Sequence, residues 1–361
     1  ITTIIHQNNP IIDKSVRNDF TKTLDSFRIT KATQQVIPLD LLRKLLPKVE
    51  EDESVLIVGD PSGSCCSYVM EHLGVSPSKI WVWEDHPTHK YLIRSLSSEI
   101  NILDNLDNLY CRMNKEKTHC IGNPPYSDRV NKEYSNKKLH KTFLLKAMEK
   151  ARTTSFVVPS SQISPSTHFE KIRPYLSYIL TDVKKYFPGV GSTFVVLTVE
   201  DTIQEKCLVE TVDGSIELPL KDIPILPKVI TKENIEYVNS VLTGGREWKV
   251  KCDYHSGIKK KWEDPEGKIE VLHTSTKSFF TNKDIPLNNT IRVAVTKSGK
   301  AEFKVVYNKG LSESMVFTDG FETIEEAQKY CDFCNSAEIQ KVLELCKFSG
   351  WNTKELLKSI P

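Results

Sequence analysis

The chain lacks any stretch approaching the ~18–20 uninterrupted apolar residues of a membrane-spanning helix. Its opening, ITTIIHQNNPIID, has no basic segment leading into an apolar core, so it does not read as a secretory signal. It also lacks an initiator Met and reads as starting inside a longer product. Neither sign of charge dominates: 49 basic against 47 acidic residues leave a net +2, so any basic surface must be local. The nine cysteines are odd in number and show no disulfide framework, and a chain of 361 residues needs none to build a core. A reducing, cytoplasmic setting is the expectation. Cys331 and Cys334 form a CxxC with no second Cys or His pair at zinc spacing nearby. They lie in EEAQKYCDFCNS, which reads as helix, so two half-buried thiols are expected there and no metal site. No internal repeat or low-complexity tract is present. With 27% charged and 39% hydrophobic residues, the chain is neither disordered nor fibrous, and its length suggests two or three domains.

What is present is an alternation of short apolar runs and helical periodicity. PLDLLRKLLPKV, residues 38–49, sets Leu39, Leu42, Leu45, Leu46 and Val49 on one helical face. SVLIVG (54–59), IWVW (80–83), THCIG (118–122), SFVV (155–158) and TFVVLTV (193–199) read as buried strands. A helix is expected over 137–151, with Leu139, Phe143, Leu144, Ala147, Met148 and Ala151 inward. Strands alternating with helices from about residue 31 to 203 argue for a mostly parallel sheet covered on both faces. Beyond that the texture changes to short strands, turns and lysines, followed by closing helices. Thr323 with Glu326 and Asn352 with Glu355 have capping-box spacing. A domain boundary is expected near Thr202–Lys206, after an N-terminal arm (1–30) and a first domain (31–203), leaving 204–361 as the second.

The segment with the most chemistry is IGNPPY, Ile121–Tyr126. A strand delivers Asn123 to the carboxyl edge of the sheet, where open α/β folds bind ligands. Pro124 and Pro125 stiffen the chain and supply no N–H donors. The Pro124 carbonyl and the Asn123 side-chain oxygen can together accept both hydrogens of an exocyclic NH2 group, leaving the nitrogen lone pair free to attack. The Tyr126 ring can stack on a planar base.

Asn123-Pro124-Pro125-Tyr126 resembles the catalytic motif of the S-adenosylmethionine-dependent amino-methyltransferases, chiefly the DNA adenine-N6 methyltransferases. Further positions follow the family's order over roughly residues 31–200. Thr33, ahead of a helix with Pro38 shortly beyond, resembles the segment that touches the cofactor's methionine end. Asp60-Pro61-Ser62-Gly63-Ser64-Cys65 resembles the Asp-Pro-Ala-x-Gly-x-Gly cofactor loop, but it is one residue short and has Cys65 where the last Gly is expected. Glu84, 24 residues beyond Asp60, matches the acid that accepts from ribose hydroxyls, with Asp85 as its alternative. Asp107, 16 residues before Asn123, resembles the acid that binds the adenine amino group, with Asp104 competing for the role. Val157-Val158-Pro159-Ser160 resembles the strand backing the target pocket. Tyr186-Phe187-Pro188-Gly189 resembles the aromatic turn that packs on the extruded base, with Phe187 preferred to Tyr186.

The resemblance implies a doubly wound Rossmann-like methyltransferase sheet with a C-terminal α+β target-recognition domain. It implies S-adenosyl-L-methionine as cofactor, no metal, and double-stranded DNA as partner to a monomer in a bacterial or phage-infected cell. An associated restriction endonuclease belongs to the same expectation. The same motif also serves enzymes that methylate a protein glutamine amide and some that act on RNA, and a silent methyltransferase-like DNA-binding subunit can retain it. From Gly244 to Lys304 there are thirteen basic residues against eight acidic ones. Arg246, Lys259, Lys260, Lys261 and Trp262 are the expected DNA contacts, with Trp248 and Tyr254 as neighbouring aromatics.

Overall fold

The computed structural model describes residues 36–84, 86–103, 114–126, 139–187, 193–250, 264–282, 290–348 and 352–361. They divide into two compact units. One holds the described residues of 1–162 and 172–221, and the other those of 163–171 and 222–361. The division falls later in the chain than Thr202–Lys206, because two further strands join the first sheet beyond that point.

The first unit is built on nine strands: β1 (Ser54–Val58), β2 (Ile80–Trp83), β3 (Asn101–Leu103), β4 (Thr118–Gly122), β5 (Thr153–Pro159), β6 (Leu176–Leu180), β7 (Phe194–Glu200), β8 (Cys207–Thr211) and β9 (Gly214–Leu218). Their order is β3-β2-β1-β4-β5-β7-β6-β8-β9. β1 to β5 run parallel, whereas β7 lies antiparallel between β5 and β6. This is the expected α/β class, with a doubly wound, mostly parallel sheet. Every residue of β4 and four of the five in β1 are buried, as befits strands covered on both faces. The order reverses between β1 and β4, which makes their carboxyl ends the switch point where such sheets take ligands.

The core of this unit gathers the helix Leu39–Leu45, the helix Ser64–Glu71 and the sheet face of Val55, Ile57, Val82 and Ile121. At the amino edge of the sheet Glu53 is buried. Its carboxylate lies 2.8 Å from His119 Nε2 and 2.7 Å from Arg152, and it accepts the Glu50 N–H at 2.8 Å.

The second unit is α+β. Its sheets are β11-β10-β14 and β13-β12-β15, from β10 (Ile269–Leu272), β11 (Ser278–Thr281), β12 (Ile291–Thr296), β13 (Lys304–Val306), β14 (Gly310–Leu311) and β15 (Met315–Phe321). Helices Ile324–Cys334 and Ala337–Cys346 pack on the second sheet around Trp248, Val293, Phe303 and Leu343. Trp248 is fully buried, which removes it from the aromatics available to a base. Cys331 and Cys334 are buried outright, more deeply than the sequence suggested. Thr323 caps its helix as expected, its hydroxyl accepting the Glu326 N–H at 3.1 Å. The last helix is capped by Thr353, not Asn352. The Asn352 amide instead donates to the Thr296 carbonyl at 2.7 Å. Among the described residues, no helix is long and apolar enough to cross a membrane.

Candidate active site

The carboxyl ends of β2, β1 and β4 are stitched together by the backbone just beyond each strand. Gly59 N–H donates to the Trp83 carbonyl and Asn123 N–H to the Val58 carbonyl, each at 3.1 Å. The approach of β4 to β1 is close enough to require glycine at 122. Its φ is +152°, and a Cβ there would stand 2.1 Å from the Val58 oxygen. The ladder then fixes where the motif starts, with Val58 opposite Gly122 and Gly122 opposite Phe156. Sequence reasoning passed over Gly122, although a glycine between a buried strand and the motif was the available signal.

Asn123 is 1% exposed and Pro124 is buried beside it. The Tyr126 hydroxyl donates to Asn123 Oδ1 at 2.5 Å and lies 3.3 Å from the Val157 carbonyl. Burial pushes this phenol well above its ordinary pKa. The Tyr126 ring meets His140 edge-on at 5.7 Å and lies tilted against Phe194 at 5.5 Å. Phe187 is buried and meets Phe194, also edge-on, at 5.7 Å. The phenylalanine against Tyr126 is therefore Phe194, the first residue of β7, which sequence reasoning read only as part of a strand. Tyr186 is half-buried one residue before Phe187.

At the ends of β1 and β2 stand two buried acids. Asp60 spans the first turn of the helix Ser64–Glu71, accepting Cys65 N–H on Oδ1 at 3.2 Å and Cys66 N–H on Oδ2 at 2.9 Å. Burial raises its pKa, outweighing these donors, and Glu84 adds to the rise. Burial also pushes the Cys65 and Cys66 thiols far up, so neither is a nucleophile. Glu84 is fully buried; its Oε1 accepts His86 N–H at 3.1 Å and lies 3.2 Å from His89 Nδ1. That imidazole contact is close without being aligned as a hydrogen bond. Pro61 and Gly63 are buried within the turn, where Gly63 adopts φ +74° and a Cβ would meet Leu96 Cδ1 at 2.8 Å.

The residues present suit S-adenosylmethionine by place, while both Asp60 oxygens and Glu84 Oε1 already accept backbone N–H groups. Two carboxylates end adjacent strands, glycines 59 and 63 both have positive φ, and the buried Ser67 hydroxyl and His89 Nε2 lack a hydrogen-bond partner among the described residues. Asp60, Glu84, Asn123 and Tyr126 thus come to one edge of one sheet, and His89 and His140 join them unforeseen. Thr33, Asp107 and its competitor Asp104, Asp85, and Pro188 with Gly189 lie outside the described residues.

In the second unit Lys259, Lys260, Lys261, Trp262 and Tyr254 also lie outside the described residues. Arg246 is engaged within the fold. It donates to Glu326 at 3.0 Å and to the Asp319 carbonyl at 3.3 Å, and it stacks on Phe321 at 4.1 Å. Lys249 pairs with Asp319 at 2.8 Å, and Arg292 is buried. Part of the local basic excess is therefore already neutralised. No group of three or more His, Cys, Asp or Glu side chains among the described residues is disposed to hold a metal.

No protein-family model and no curated protein matches the chain. Among solved structures, it is similar to the methyltransferase subunit of a type I restriction-modification system from Streptococcus thermophilus (12% identity, TM-score 0.42, covering 63% of this chain and 57% of that one). It is also similar to the type IIG restriction endonuclease BpuSI (12%, 0.44, 96% and 61%) and to the DrdV–DNA complex (12%, 0.48, 86% and 52%). The chain spans between 52% and 61% of the length of these structures.

Proposed function

We propose that the protein is an S-adenosylmethionine-dependent DNA methyltransferase acting on N6 of an adenine extruded from the duplex. The observation that carries this reading is Asn123: a buried amide at the switch point of the sheet, directly after β4 and hydrogen-bonded through its backbone to the end of β1. Glu84 and Asp60 would hold the cofactor, which when bound supplies an electrophilic methyl on a sulfonium. Asn123 Oδ1 and the Pro124 carbonyl accept the two N6 hydrogens, so the lone pair is kept out of conjugation with the ring. A paired adenine already gives one of those hydrogens to thymine, so the base must leave the stack at a cost of a few kcal/mol. Stacking on an aromatic wall returns ~1–3 kcal/mol per base, and the half-buried ring of Tyr126 would supply it. Residues 222–361, which fall in the separate α+β unit and include the basic segment, carry the choice of sequence. The test is Asn123→Ala, which should nearly abolish methyl transfer to DNA while cofactor affinity, measured by calorimetry, changes little. Comparable turnover in the variant would sink the assignment.

A second reading has an observation of its own. Glu84 faces His89, both Asp60 oxygens are taken by backbone N–H groups, and Leu96 fills the space over Gly63. A methyltransferase-like subunit that binds DNA without cofactor would keep this arrangement. Titration with S-adenosylhomocysteine separates the two readings, since only the catalytic one requires saturable binding.

A further inference from the structure

Stacking needs only the ring of Tyr126, and a phenylalanine would serve it equally. The hydroxyl is a separate feature with its own partners. It sits 2.5 Å from Asn123 Oδ1, within the range of an O–H···O bond and too short for N–H···O, so the amide presents its oxygen to the phenol. The Val157 carbonyl, at 3.3 Å, is a distant second acceptor for the single hydroxyl proton. Asn123 directly follows β4 and Val157 lies within β5, each one residue beyond the last rung of the β4–β5 ladder, Gly122 opposite Phe156. The ring is fixed from the sides by His140 and Phe194. The hydroxyl is therefore an anchored donor with Asn123 Oδ1 as its nearer acceptor.

The amide needs such an anchor. Its oxygen and NH2 ends have similar size, and a half-turn about the last side-chain bond exchanges an acceptor for a donor. A donor at that place would repel the hydrogens of a target amine instead of accepting them. We propose that Tyr126 is a positioning residue whose hydroxyl holds the Asn123 amide with Oδ1 as the acceptor. The phenol donates to Oδ1, and the target amine would donate to the same oxygen. Because burial keeps the phenol protonated, the anchor persists across the working pH range. The inference rests on the methyltransferase reading for its catalytic consequence, though not for the hydroxyl–amide bond itself.

The experiment compares wild type, Tyr126→Phe and Tyr126→Ala as full chains, with matching circular dichroism as the folding control. In DNA methylation assays, Tyr126→Phe should lower kcat about tenfold, the scale of one missing hydrogen bond. Its KM for DNA should stay within about twofold, and the ratio to wild type should be flat between about pH 6 and 9. Tyr126→Ala, which also removes the ring, should fall further. The second arm is the Asn123 side-chain NH2 signal in 15N spectra, assigned by its loss in Asn123→Ala. Tyr126→Phe should move or broaden it. A Tyr126→Phe enzyme with wild-type kcat overturns the positioning role and leaves the methyltransferase reading standing. An unmoved Asn123 signal overturns the bond. Should wild type methylate nothing, a moved signal upholds the bond while the functional reading fails.

Discussion

Replacing Gly122 by alanine puts a methyl group where β4 touches β1. The backbone there has φ +152°, and the new Cβ would lie 2.1 Å from the Val58 oxygen and 2.9 Å from its nitrogen and carbonyl carbon. A non-glycine residue held in that region costs ~1–3 kcal/mol. Relieving the overlap by shifting a packed strand adds ~1–3 kcal/mol. The expected loss is therefore about 2–6 kcal/mol, a large part of the ~5–15 kcal/mol that holds a domain folded. The shift must also open the Asn123 N–H bond to Val58, so the motif loses its seat even in molecules that stay folded. Native-state hydrogen exchange at the β1 and β4 amides, together with urea unfolding, reads both effects. Protection and midpoint unchanged in Gly122→Ala would refute the reasoning about the junction, whatever the function proves to be.

The acidic limb of stability should depend on Glu53. Burial acts to raise this carboxyl, but the Glu50 N–H, His119 and Arg152 more than offset it and leave its pKa lowered. Its contribution is thus complete above the ordinary carboxylate value of ~4.3 and is lost as pH falls through the lowered folded value. Glu53→Gln should flatten the fall in thermal midpoint in that window, and an unchanged profile would contradict this. Glu84→Ala should weaken S-adenosylhomocysteine binding by about 1.5–3 kcal/mol, the range for hydrogen bonds to a charged group; equal affinity by calorimetry would move the ribose contact elsewhere. Lys259, Lys260 and Lys261 changed together to alanine should reduce the log–log salt slope of DNA binding by up to roughly 0.9 for each phosphate no longer neutralised. Arg246→Ala should instead lower stability with little change of slope, because that guanidinium is already held by Glu326 and Phe321.

The buried strands were legible because parallel strands covered on both faces must be apolar throughout, as SVLIV, IWVW and THCIG are. β3 escaped notice because it has three half-buried residues and no apolar run. β8 and β9 escaped because few of their residues are buried, Cys207 and Val209 in CLVET and Leu218 in GSIEL, and because they merge into the lysine-rich texture that follows. The Asp-Gly at 213–214 was a hairpin signal, and the strands do pair across it. In the site, Asn123 could be placed from local sequence because a strand end fixes it. The ring that meets Tyr126 could not, since Phe194 reaches it only through the antiparallel pairing of β7 with β5. The same holds for His89, which meets Glu84 only once its helix has docked.

The most direct test of the central claim is methylation of mixed-sequence double-stranded DNA with methyl-labelled S-adenosylmethionine, followed by hydrolysis and base analysis. The account predicts label in N6-methyladenine alone, at a restricted set of sequences, and its disappearance with Asn123→Ala. Label in cytosine, or the same yield of methyladenine from Asn123→Ala, would contradict it.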